Sequence, residues 1–254
     1  MDAKLFEIDA RLGTLVDLVR RCPESVVSDF REKLELSWIF HDHGLEGVVV
    51  SYSELRAAID HNIISDVSLI PTYEEIKALK RAIAEVREMA RQRRLALNME
   101  TLRRLYVACT PGVDEKTVAY RKDNPLHRAY YHEIAPPDKI AYKMRKLVEW
   151  FGSDEVKRMH PVQFAARAHY RLLAIYPWPT NNGRVGRLLQ NLILLHAGYP
   201  PAVIHTTERQ RYYESLRHEH AGLVPLVMES LSNSIETCTK YLNEHVREHS
   251  RVAS

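Results

Sequence analysis

A mainly helical, all-α fold carrying one short β-hairpin is what this sequence predicts, and three features carry that expectation. Glycine is scarce, at nine of 254 residues. Strand-like runs are few. Apolar residues recur three and four positions apart along most of the chain, the pattern of helices with one buried face. Leu5, Ile8, Leu12, Leu15 and Val19 set the first helix. "PESVVSDFREKLELSWIFHD" sets the second, with Pro23 suited to its first turn. After the break at "GLEGVVVSY", Ser51 and Glu54 have the spacing of a capping box and start a third. "PTYEEIKALKRAIAEVREMARQRR" reads as a long amphipathic helix, acid early and base late, as the helix dipole favours.

Residues 110–135 differ. Prolines, a glycine and Thr-Val and Tyr-Tyr pairs predict a short β-hairpin or an extended flap there. Helices resume with "PDKIAYKMRKLVEWFG" and "HPVQFAARAHYRLLAI", in which Phe164, Ala168, Leu172 and Ile175 share a face. "RVGRLLQNLILLHAG" is almost wholly apolar, so it is expected at the centre, stopping at Gly198 before Tyr-Pro-Pro. Further helices complete the chain.

Hydrophobic residues make up 45% and charged residues 27%, ordinary values for a globular protein with its own core. The formal charge of +3 gives no electrostatic case for nucleic acid, and "RQRR" at 91–94 reads as a solvated helix face. No apolar run is long enough for a membrane span. Cys22, Cys109 and Cys238 lie far apart, with neither metal nor disulfide spacing. With the charged start "MDAKLFEIDARL", they fit a reducing cytosol.

The chemistry gathers in "IYPWPTNNGRVGRLLQN", residues 175–191. The first N–H groups of a helix need partners, and a phosphate satisfies them. Gly183 allows close approach, while Asn181 and Asn182 tolerate the left-handed conformations of an anion nest. Arg184 and Arg187, three apart, lie on one face and can fork onto phosphate oxygens. Taken alone, these residues read equally well as a capped helix with two surface arginines.

The stretch resembles the Fic motif, H-x-F-x-(D/E)-G-N-G-R-x-x-R. The resemblance extends to the flanking "HPVQFAARAHYRLLAI", "LILLHAGYPPAVI" and "RQRYYESL", and to "YRKDNPLHRAYYHEIAPP", which is similar to the Fic flap. "SWIFHDHGLEGVVVSYSEL" resembles the inhibitory helix that some Fic proteins carry N-terminally, S/T-x-x-x-E-(G/N). It implies three regions. They are an N-terminal helical lobe with the inhibitory segment over 1–108, a Fic-like core over 109–240, and a helix end and tail over 241–254.

The resemblance also implies transfer of AMP from ATP to a hydroxyl of a target protein. The motif histidine would act as base and the acid would hold Mg²⁺. The Gly-Asn-Gly turn and first arginine would hold the α- and β-phosphates, and the second arginine the γ-phosphate. The flap, where His127 and His132 could face a ligand, would dock the target as an added strand. Homodimerisation is a further expectation. Glu46, at the inhibitory position, would pair with Arg187.

The departures fall on the chemistry. Tyr176 stands at the base position, and a phenol titrates near 10, against about 6.5 for imidazole. Thr180 replaces the acid, and a neutral hydroxyl is a weak magnesium ligand. Trp178 replaces the phenylalanine, Asn181 the first glycine, and Asp42 the serine or threonine before Glu46. Asn182, Gly183, Arg184 and Arg187 remain. His169 reads as a core histidine, and neither it nor His205 has the spacing of a substitute base.

The expectation is therefore a divergent Fic-family protein that keeps a cradle for ATP or another phosphorylated ligand but has lost ordinary AMP transfer. One alternative is an active transferase with altered chemistry, Tyr176 being activated by a cation or acting as nucleophile. Another is a helical interaction module without nucleotide.

Overall fold

The computed structural model describes residues 2–60, 67–125, 132–217 and 222–252. Its helices are α1 (Asp2–Arg21), α2 (Glu24–Leu45), α3 (Tyr52–Ile59), α4 (Ile70–Ala90), α5 (Met99–Cys109), α6 (Ile140–Phe151), α7 (Asp154–Lys157), α8 (Pro161–Ile175), α9 (Asn182–His196), α10 (Arg209–Ser215) and α11 (Leu223–Val252). The periodic stretches of the sequence become α1, α2, α4, α8 and α9. The capping box forms as its spacing predicts: Ser51 Oγ accepts from the Glu54 N–H, and Glu54 accepts from the Ser51 N–H.

Helix α9 is the axis of the molecule. Every residue from Asn182 to Leu194 is buried, as its apolar sequence requires. Helices α4, α5 and α8 pack around it, and α11 lies across α8, α1 and α2. One continuous core runs from Leu5 to Leu242 and includes residues on both sides of position 108.

The expected hairpin is not supported among the described residues. No strand occurs among the described residues, and residues 126–131, including His127, lie outside them. Pro125, Pro136 and Pro137 have no N–H to give to a ladder. The neighbouring donors go to the end of α8 instead: Arg121 N–H to Pro177 O at 3.0 Å, and Ala135 N–H to Ala174 O at 3.0 Å. Arg121 is buried and binds the segment to that helix end. Its guanidinium donates to the carbonyls of Tyr176 (2.7 Å), Ile175 (3.3 Å), Asp123 (3.0 Å) and Ala135, and to Asn124 Oδ1 (2.8 Å).

Candidate functional site

The site lies where α8 stops and α9 starts. Tyr176 ends α8 in the left-handed region, with φ 52°, and Pro177 cannot continue the helix. That conformation costs a non-glycine residue roughly 1 kcal/mol or more. The Tyr176 N–H bond to Leu172 O and the Arg121 bond to its carbonyl hold it in place. The turn that follows is locked by Asn182. Its side chain accepts from Trp178 N–H at 2.9 Å, and donates to Trp178 O at 2.7 Å and to Thr180 O at 3.3 Å. Trp178 stacks on Tyr106 at 4.7 Å, which seats the turn on α5.

Asn181 begins α9, also left-handed, with φ 56°. Its amide donates to Thr110 Oγ1 at 3.1 Å and its oxygen accepts from Arg184 Nη1 at 3.2 Å. Thr180 is exposed at the edge of this turn.

Both motif arginines are buried, and their partners are carboxylates of this same chain. Arg187 makes a two-point contact with Asp42, Nε to Oδ2 at 2.7 Å and Nη2 to Oδ1 at 3.0 Å. Nη2 also donates to Glu46 Oε1 at 2.7 Å, and Nη1 to the Tyr212 hydroxyl at 3.3 Å. Arg184 donates through Nη2 to Glu75 Oε2 at 2.8 Å, and its Nε lies 3.4 Å from Asp42 Oδ1. Asp42 and Glu46 are four apart at the end of α2, so one helix face presents both acids. A Cβ placed on Gly183 would stand 2.4 Å from Glu46 Oε1 and 3.0 Å from Arg187 Nη1. The Glu46 carboxylate therefore lies directly against the first turn of α9 at Gly183.

The electrostatics follow from this packing. Burial alone would push the Asp42 carboxyl up, but the charge and hydrogen bonds of Arg187, with Arg184 beside it, prevail and hold it below its ordinary value. Burial opposes the charge of Arg187 too, yet Asp42 keeps that guanidinium firmly protonated.

The histidines are accounted for structurally. His132 is buried, with Nε2 at 3.0 Å from the Leu173 carbonyl, so it caps the end of α8. His169 is wholly buried between Gln190 Oε1 (2.8 Å from Nδ1) and the Tyr212 hydroxyl (3.0 Å from Nε2). It thus supports the tyrosine that touches Arg187. His205 stacks on His41 at 4.2 Å, away from the turn.

These buried rings predict an acid-sensitive fold. Burial pushes His169 down to about 3, and burial with the nearby His205 pushes His41 down to about 4. Burial, then the Arg184 charge, lowers His43. A group depressed in the fold takes up its proton first in the unfolded chain. Stability is therefore full above the ordinary value of 6.5 and falls as pH drops from there towards 4. Each proton so linked gives a slope of about 1.4 kcal/mol per pH unit. Denaturant midpoints at pH 7, 6, 5 and 4 should show the fall, and His41→Asn should flatten it by about one proton. Midpoints that stay constant over that range would contradict these assignments.

The donor set does not fit a magnesium ion. Thr180 offers only a neutral hydroxyl, and the nearby carboxylates are held by arginines. Among the described residues, no group of three metal-ligating side chains is arranged around a common point. Nor is any helix among them long and apolar enough to cross a membrane.

Asp42, Glu75, Tyr212 and Arg121 received no role from the sequence. For Asp42 a signal was present: an acid four residues before Glu46 shares its helix face. Glu75, in "TYEEIK", and Tyr212 carry none, because only the tertiary fold brings them to the arginines.

Residues 96–194 match the family model described as Fic/DOC. The protein adenylyltransferase Fic of Drosophila virilis is 29% identical over 184 residues, covering 72% of this chain and 38% of its own length. The chain spans less than half the length of such curated relatives. Fic-1 of C. elegans has the same fold with a TM-score of 0.79 at 18% identity, over 94% of this chain and 71% of that one. A Fic domain containing signaling protein of Bacteroides thetaiotaomicron gives 0.76 at 21% identity, over 94% and 95%.

Proposed function

We propose that this chain, whose residues 96–194 match the Fic/DOC family model, is a Fic-family phosphate-site protein that has lost ordinary AMP transfer and rests with its arginines closed by its own carboxylates. The observation that carries the reading is Tyr176. At the position the family motif gives to its base stands a buried phenol, on a residue fixed in the left-handed region at the end of α8. A phenol with an ordinary pKa near 10 is protonated at neutral pH and is a poor acceptor for a hydroxyl proton. Thr180, at the position of the metal-holding acid, gives no carboxylate to organise a triphosphate.

What the site keeps is an anion cradle: the first turn of α9, Gly183, Arg184 and Arg187. In the resting state Glu46 fills it. Glu46 sits one residue beyond the end of α2 and its side chain is 16% exposed, so it can swing out. A phosphorylated ligand would then meet the α9 N-terminus and Arg184. The family resemblance adds a target protein docking beside residues 110–135. The saturation of Arg187 favours a second reading, an interaction module that binds no nucleotide at all.

Calorimetric titration with ADP separates the two. Under the proposal Glu46→Gly binds ADP at least tenfold more tightly than the parent, and Arg184→Ala in that background abolishes binding. A folded Glu46→Gly protein that takes up no ADP would leave the interaction module standing.

A further inference from the structure

We infer that Asp42 permanently withdraws Arg187 from ligand binding, so that the opened cradle accepts a single phosphate group and gains nothing from a longer polyphosphate. The inference rests on the reading of the site as a phosphate cradle and names the ligand class it takes.

Three carboxylates surround two guanidiniums, and they are not equivalent. Glu75 accepts one contact from Arg184 through a side chain 38% exposed. Glu46 accepts one contact from Arg187 from beyond the last turn of α2. Asp42 is 1% exposed and grips Arg187 at two points while also facing Arg184. It cannot move independently, because the end of α2 is clamped. Arg209 Nε donates to the Leu45 carbonyl at 3.0 Å, and the Tyr213 hydroxyl donates to the same carbonyl at 3.0 Å. Gly44 lies so close to the 206–208 turn that a Cβ there would be 2.0 Å from Thr206 Oγ1. A glutamate at the end of a helix can be displaced by a ligand; an aspartate inside that clamped turn is part of the core.

The charge count then limits the ligand. With all three acids in place, two positive charges face three negative ones. With Glu46 swung out the sum is zero, the Asp42 charge cancelling that of Arg187. One phosphate can still be held by the α9 N–H groups and Arg184, whose exposed partner Glu75 can yield. Each further phosphate adds negative charge to a site with no uncompensated cation left to receive it, in a place where burial strengthens repulsion.

The test is titration of Glu46→Gly and of Asp42→Ser/Glu46→Gly with AMP, ADP and ATP in EDTA, with the melting temperature of each protein measured alongside. In Glu46→Gly the three affinities should agree within about threefold. In the double variant ATP should exceed AMP at least tenfold, because Arg187 is released. Should the serine variant fail to fold, Asp42→Asn/Glu46→Gly, which removes the charge but keeps the size and one acceptor oxygen, carries the same comparison. Two outcomes overturn the inference: Glu46→Gly already preferring ATP over AMP by tenfold, or removal of the Asp42 charge leaving the order unchanged. If neither variant binds any of the three, the phosphate-cradle reading falls and the inference falls with it. A merely structural Asp42 would lower the melting temperature without moving the ATP-to-AMP ratio.

Discussion

Asp42→Ala should cost about 3–5 kcal/mol of folding stability, the largest loss expected from any single change at this site. Removing the carboxylate leaves Arg187 buried with only Glu46 and Tyr212, and Arg184 with one charged neighbour fewer. A buried pair adds little net stability when intact, but breaking it strands a charge that water cannot reach. Glu46→Ala should cost only about 1 kcal/mol, because its side chain is partly solvated and Arg187 keeps Asp42. For a domain whose whole stability is about 5–15 kcal/mol, the first change threatens soluble yield and the second does not. Urea denaturation of both variants gives the order. An Asp42→Ala protein as stable as Glu46→Ala would mean that the two-point contact does not hold the cradle together.

The second large effect concerns chemistry. Tyr176→His with Thr180→Asp restores the two residue types that the family motif uses, and Glu46→Gly opens the cradle. The triple variant should gain self-labelling with AMP from ATP and Mg²⁺ by about 100-fold or more over the parent, the low end of what a positioned general base contributes. Histidine tolerates the left-handed backbone at 176 better than most residues, so the substitution suits the turn. Adding Asp42→Ser should raise the rate further, because Arg187 is then available. Without Glu46→Gly the gain should be small, since the carboxylate still lies against Gly183. Autoradiography after a timed incubation reads all of these. A folded, nucleotide-binding quadruple variant that labels nothing would show that more than a base, a metal ligand and an open cradle had been lost.

The legible parts of this fold are the ones governed by local rules. Leu5 to Val19 repeat at helical spacing, Ser51 and Glu54 cap the helix they begin, and the apolar run after Arg187 lies at the centre of the molecule. The turn that starts α9 was legible too, because Asn182, Gly183 and the two arginines stand close together in sequence. The arrangement around its arginines was legible only in part, as the pairing of Glu46 with Arg187. Asp42 is 145 residues from Arg187, and Glu75 is 109 from Arg184, so no local pattern pairs them. Read from the sequence, only Glu46 is expected at Arg187; in the fold Asp42 joins it there and Glu75 takes Arg184. The hairpin alternative for residues 110–135 finds no strand among the described residues for a related reason. Its Thr-Val and Tyr-Tyr pairs favour strands, but Arg121 draws the backbone on either side of residues 126–131 onto the end of α8.

The most direct test of the account is to incubate the purified, unaltered protein with Mg²⁺ and ATP labelled at the α-phosphate, alone and with added protein substrate, beside its Arg184→Ala variant. The account predicts no AMP attached to either protein above the level of that control. Transfer that Arg184→Ala and Tyr176→Phe both abolish would contradict it, and would make the buried phenol of Tyr176 a working catalytic group.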